Sequence, residues 1–118
     1  MKEIRVRKED LELLYEYALS HCKEVCPQER NPRTCLAMVK IGKLIGRYPP
    51  CVKSYGYFEK SFLKRMLKEI EIREGKRIKE FIKEMKQRNP RSLQEYEDSI
   101  DSEFIYNILE ILEGEDDA

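Results

Sequence analysis

The chain of 118 residues has no tryptophan, one histidine, and only five glycines and five prolines. Asparagine and glutamine number three each. No apolar run approaches the roughly 20 residues that cross a bilayer, which excludes a membrane-spanning helix and predicts no membrane partner. The N-terminal stretch MKEIRVRKEDLE is charged throughout and lacks the apolar centre of a secretory signal. A cytoplasmic protein is expected. With His21 alone, few side chains titrate near neutral pH. There is no Gly-rich phosphate loop, no nucleophile elbow, and no Glu-x-x-His pair of a di-iron bundle. The expectation is that the protein is not an enzyme, with thiol or iron–sulfur redox chemistry the one catalytic route left open.

What the chain has in abundance is charge. Lys, Arg, Asp and Glu make up 39% of it, against roughly 25% in an average globular protein. Rich Lys, Arg and Glu with scarce amides give a thermophile-like composition. The net charge is zero, yet the signs are segregated along the chain. Residues 35–91 carry sixteen Lys/Arg against six Glu, whereas residues 92–118 carry ten Asp/Glu and no Lys or Arg.

Apolar spacing predicts an all-α protein, a compact bundle of about four amphipathic helices with a short N-terminal arm. The whole chain reads as a single helical domain, with an arm at 1–8 and an acidic mobile tail at 113–118. In the first helix Leu11, Leu14, Ala18, Cys22 and Val25 recur at three and four, so this stripe is expected inside. Pro27 ends the helix near Cys26. Asn31 caps the next one, with Pro32 at its first position and Tyr48-Pro49-Pro50 as its stop. Gly42 and Gly46 fit close helix packing or a weak last turn. Leu63, Leu67, Ile70, Ile78, Phe81 and Met85 keep phase across Gly75, which predicts one long, bent helix over 57–88. Ser92 and Glu95 have capping-box spacing. Leu93, Tyr96, Ile100, Phe104, Ile108 and Ile111 form the expected buried stripe of a last helix ending at Gly114.

The cysteines, Cys22, Cys26, Cys35 and Cys51, admit three readings: disulfides, metal ligands, or free buried thiols. Cys22 and Cys26 lie one helical turn apart, and Cys35 opens the next helix across a short loop. Soft thiolates suit zinc or an iron–sulfur cluster. No cofactor is needed if they are disulfides, for which Cys26 with Cys35 and Cys22 with Cys51 are the pairs to test. A straight second helix would carry Cys51 about 20 Å from the others at 1.5 Å per residue. His21 steps about 100° away from Cys22, so an exposed or partly packed histidine is expected there.

The basic segment supplies the candidate binding site: Lys53, Lys60, Lys64, Arg65, Lys68, Lys76, Lys79, Lys83 and Lys86. Several of these lack an acidic residue at helical spacing, so they want a partner from elsewhere. That partner is DNA or RNA phosphate, or the acidic last helix of the same chain. The preferred expectation is a small binding or regulatory module, nucleic-acid-associated through the basic helix, with the cysteines stapling the first two helices. The alternatives are an adaptor for a basic or acidic protein partner, whose own helices neutralise each other, and a small iron–sulfur or thiol redox protein.

Overall fold

The computed structural model of the chain describes residues 3–26 and 31–117. It is all-helical. Among these residues there are six α-helices and no strand: α1 (Lys8–Val25), α2 (Pro32–Ile45), α3 (Cys51–Ser54), α4 (Lys60–Glu74), α5 (Ile78–Met85) and α6 (Leu93–Asp117). No helix among them is long and apolar enough to cross a membrane. The chain forms two compact units, residues 1–57 and 58–118. Six helices replace the expected four because α3 is a single turn and the long basic segment is divided.

In the first unit α1 packs on α2. Asn31 caps α2 as expected, its Oδ1 accepting from the N–H of Arg33 (2.9 Å) and Thr34 (3.2 Å). The buried side of α1 differs from the expected stripe. Tyr15 and Leu19 are buried with Met38 and Ile45, and Leu11, Ala18 and Ile41 pack around them. Leu14 is instead 66% exposed. The run LELLYEY offers two apolar stripes about 100° apart, and the larger tyrosine ring takes the inside. Gly42 makes room for it. A Cβ there would overlap the Arg47 carbonyl oxygen and stand 2.8 Å from Tyr15 Oη. The Arg47 N–H closes the helix end onto Gly42 O at 2.8 Å, with Gly46 left-handed between them.

Tyr15 is the one described residue with a buried side-chain polar atom that has no hydrogen-bond partner. Burial pushes its pKa up, against the lowering effect of the nearby Arg47 guanidinium. An unpaired buried hydroxyl is a cost, so removing it removes the desolvation penalty. Tyr15→Phe is therefore expected to leave thermal stability unchanged or raise it by up to about 1 kcal/mol, read by thermal denaturation. A loss of stability would mean that the hydroxyl has a partner.

Gly56, Tyr57 and Phe58 all have φ near +58°. For Tyr and Phe this left-handed conformation costs about 1–2 kcal/mol each. The Tyr57 ring stacks edge-on against Tyr48 at 5.6 Å between centroids, whereas the Phe58 ring meets Phe104 at 6.1 Å within the second unit.

The second unit is three helices packed pairwise, α4 with α5 and α6, and α5 with α6. The sequence predicts one helix through Gly75. The structure breaks it there, because Gly75 is left-handed at φ +68° and its N–H and that of Lys76 both turn back to Glu71 O. Only the missing Cβ makes this conformation cheap. Glu71 then serves the next helix too, its Oε2 accepting from Ile78 N at 2.8 Å and capping α5. The predicted stripe survives the break: Leu63, Leu67, Ile70 and Phe81 are all buried.

On α6 the inside is Phe104, Ile105, Ile108 and Leu109, together with two polar residues, Asp98 and Ser102. Leu93 and Tyr96, expected inside, are 72% and 50% exposed. Asp98 is the reason. It is 1% exposed and turns inward to accept from Arg73 Nη2 (2.8 Å) and Nε (3.2 Å), which fixes the phase of the first turns. Half of the expected capping box forms: Glu95 N donates to Ser92 Oγ at 3.0 Å. The Glu95 carboxylate goes elsewhere, to Arg91 N and to the Arg88 guanidinium. The helix also runs past Gly114 to Asp117, beyond its expected end.

Candidate functional site

The basic residues predicted as a nucleic-acid surface do not form one uncovered stripe. Lys53 lies on α3 in the first unit, and the other eight lie on α4, in the turn after it, on α5 and, for Lys86, at its C-cap. Carboxylates of α6 reach the basic helices at Lys64, paired with Glu113 at 3.4 Å, and at Lys86, with Glu103 at 4.0 Å. Lys76 pairs with Glu84 across the α4–α5 corner. Lys79 sits 6.0 Å over the Tyr106 ring, and Arg65 sits 5.3 Å over Phe62. Lys60 also has an interaction of its own. Lys68 and Lys83 make no ion pair among the described residues. Lys79, Lys83 and Lys86 line a groove of about 390 Å³ whose other wall holds Glu103 and Glu110. The groove is of mixed sign.

The strongest ionic knots of this unit are structural. Arg88 bridges Glu84 and Glu95, with Nη1 at 2.6 Å from Glu95 Oε1 and Nη2 at 2.6 Å from Glu84 Oε2. The Arg88 hydrogen bond, with that of Arg91 N, holds Glu95 down to about 2. Around Asp98, burial pushes the carboxyl up, and hydrogen bonds with Arg73, Glu74 and Gln94 outweigh it and hold it low. Glu74 pays the opposite way: its hydrogen bond with Asp98, then burial, raise it.

None of the four cysteines is in a disulfide, so neither expected pairing is formed. Cys22, Cys26 and Cys35 line one cavity of about 240 Å³ between α1 and α2, together with His21 and Met38. His21 is exposed and shares this lining, although its step along the helix turns it away from Cys22. Cys51 is not part of that lining. It opens α3, within electrostatic reach of Tyr15. Among the described residues no three His, Cys, Asp or Glu side chains are gathered as a ready metal site.

A further site was missed by the sequence reading. With Tyr15 and Leu19 inside, α1 turns Leu13 and Tyr17 outward, 70% and 81% exposed. At 3.6 residues per turn these two stack on one face. Glu9, Asp10, Glu16, Ser20 and Glu24 share it, all exposed. Lys8 lies on the opposite side of the helix and Lys23 at the margin. Beside Leu13 is a recess of about 420 Å³ lined by Glu9, Glu12, Glu16 and Arg47. Arg47 answers Glu16, Arg7 answers Asp10 and Lys8 answers Glu12. Glu9 and Glu24 have no ion-pair partner among the described residues. The arrangement is an apolar pair ringed by carboxylates. Its sequence signal was the Leu13/Tyr17 spacing of four, hidden by the competing Leu14 stripe.

The chain matches no family model, no curated protein and no solved structure.

Proposed function

We propose that the protein is a protein-interaction module that takes a basic amphipathic segment of a partner on the outer face of α1. The observation that carries this reading is the exposed Leu13/Tyr17 pair inside a ring of Glu9, Asp10, Glu16 and Glu24. Exposed aromatic and leucine side chains on a helix are anchors of helix recognition, and aromatic anchors dominate interface energies. The surrounding carboxylates favour a partner whose apolar residues are flanked by Lys or Arg, and would steer its approach. The recess beside Leu13 has room for a long cationic side chain. The internal pairing of α6 with Lys64 and Lys86 supports the adaptor reading over the nucleic-acid one, since each such pair removes a cation from phosphate contact. Lys53, Lys68 and Lys83, with Arg65 and Lys79 on aromatic rings, take no carboxylate among the described residues and are what remains in favour of nucleic acid.

A synthetic helical peptide of leucines and lysines, titrated into isotope-labelled protein at low salt, tests the proposal by NMR. Amide shifts concentrated in residues 9–24 are the expected result. No shift at millimolar peptide, or shifts confined to the acidic α6, would overturn it.

A further inference from the structure

The cavity between α1 and α2 has an unusual donor set. Among the described residues, three thiols, one thioether and one imidazole line it, with no carboxylate, ammonium or guanidinium group. Hard cations such as magnesium and calcium require oxygen ligands, and none of the charged kind is among the described lining residues. Thiolate and thioether donors select soft ions. Structural zinc and iron–sulfur clusters are held by four ligands, and Cys51, the fourth thiol, stands outside this cavity. A monovalent soft ion asks for less, since two thiolates suffice to hold it.

The pair is at hand. Cys22 and Cys26 are one turn apart on α1, a spacing that sets Cβ atoms about 5–6 Å apart. Both are half-buried and line the same space. Two thiolates one turn apart on the same helix face would repel each other, and a cation between them removes that repulsion. We infer that the Cys22–Cys26 pair is a binding site for a soft monovalent cation of the Cu(I) class, with Cys35 and the Met38 thioether closing the cavity around it. Two thiols and one Cu(I) give one dithiolate complex and two released protons, with no change of oxidation state. Affinity therefore rises with pH.

The test is anaerobic titration of the full chain with Cu(I), in competition with the coloured chelator bicinchoninate. One copper per chain should leave the chelator, with a thiolate-to-copper charge-transfer band in the ultraviolet. Cys22→Ser and Cys26→Ser should each weaken binding by more than about 100-fold, beyond what loss of an outer partner of a ligand does. Cys51→Ser should leave affinity within about twofold, as expected of a residue off the metal. Because a serine variant can lose its fold, a second readout uses the unaltered protein. Bound Cu(I) should shield Cys22 and Cys26 from alkylation, seen by mass spectrometry, and leave Cys51 labelled. Failure to draw copper from the chelator overturns the inference. So does equal shielding of Cys51, or zinc binding that shields all four thiols.

Discussion

Asp98→Ala is expected to lower the stability of the second unit by about 2 kcal/mol, from hydrogen bonds to charged groups that the buried site cannot replace with water. In a unit of this size that is a fall of about 10 °C in the melting temperature. The carboxylate joins the end of α4 to the start of α6, accepting from Arg73 twice and from Gln94 Nε2 at 3.0 Å. Arg73 is itself half-exposed and can turn to solvent, which keeps the loss below that of a fully buried pair. A readout specific to the arrangement is Glu74. Its raised pKa depends first on the hydrogen bond with Asp98 and should fall toward the ordinary 4.5 in the variant.

The same cluster sets a pH dependence of defined sign. Glu84 and Glu95 titrate lower in the folded chain than their ordinary 4.5, the first through Lys76 and Arg88, the second, at about 2, through Arg88 and Arg91. Their contribution is present above pH 4.5 and is lost as pH falls from there toward 2. Glu74 is raised, so its contribution is full below 4.5 and is lost as pH rises through its folded value. Glu74→Gln keeps a hydrogen-bonding group but no proton to lose. The variant should match the parent below pH 4.5 and be the more stable of the two above it, in melting temperatures across that range. A variant weaker than the parent at neutral pH would contradict the raised Glu74 pKa.

Gly42→Ala is expected to cost about 2–3 kcal/mol, in the range of overpacking a filled core. The new methyl group would overlap the Arg47 carbonyl oxygen, a backbone atom fixed by the turn that ends α2, and would press on Tyr15 Oη. Helix propensity alone favours Ala over Gly by about 1 kcal/mol, so the sign of the result decides between the two effects. Combining Gly42→Ala with Tyr15→Phe should recover part of the loss, since one of the two clashing atoms is gone. Urea unfolding of the single and double variants measures this coupling.

The helical class and several helix ends were legible because caps, prolines and apolar spacing are local: Asn31, Pro32 and the Leu63–Leu67–Ile70 stripe behave as read. The errors share one cause, which is competition that only packing resolves. Leu14 and Tyr15 each continue a legitimate stripe, and space at Gly42 chooses Tyr15. Leu93 and Tyr96 yield to Asp98, whose buried carboxylate turns inward to accept from Arg73 and Gln94. Gly75 keeps the stripe in phase on both sides, so periodicity alone cannot reveal the break. The charge segregation between residues 35–91 and 92–118 was plain. Where its carboxylates land, on Lys64 and Lys86 but on neither Lys68 nor Lys83, depends on helix register. The α1 face was invisible for the same reason as the Tyr15 error, since one assignment fixes the other.

The most direct test sets the two surfaces against each other. Leu13→Glu/Tyr17→Glu and Lys68→Glu/Lys83→Glu are compared with the parent for binding to the leucine–lysine peptide and to a single-stranded oligonucleotide at 50 mM salt. All four positions are exposed, so stability should stay within about 0.5 kcal/mol. The α1 variant is predicted to lose peptide affinity by about 30-fold, the loss of roughly 2 kcal/mol that an anchor residue carries. The lysine variant is predicted to keep it. Oligonucleotide binding by the parent that the lysine variant abolishes, with peptide binding indifferent to Leu13 and Tyr17, would contradict the account.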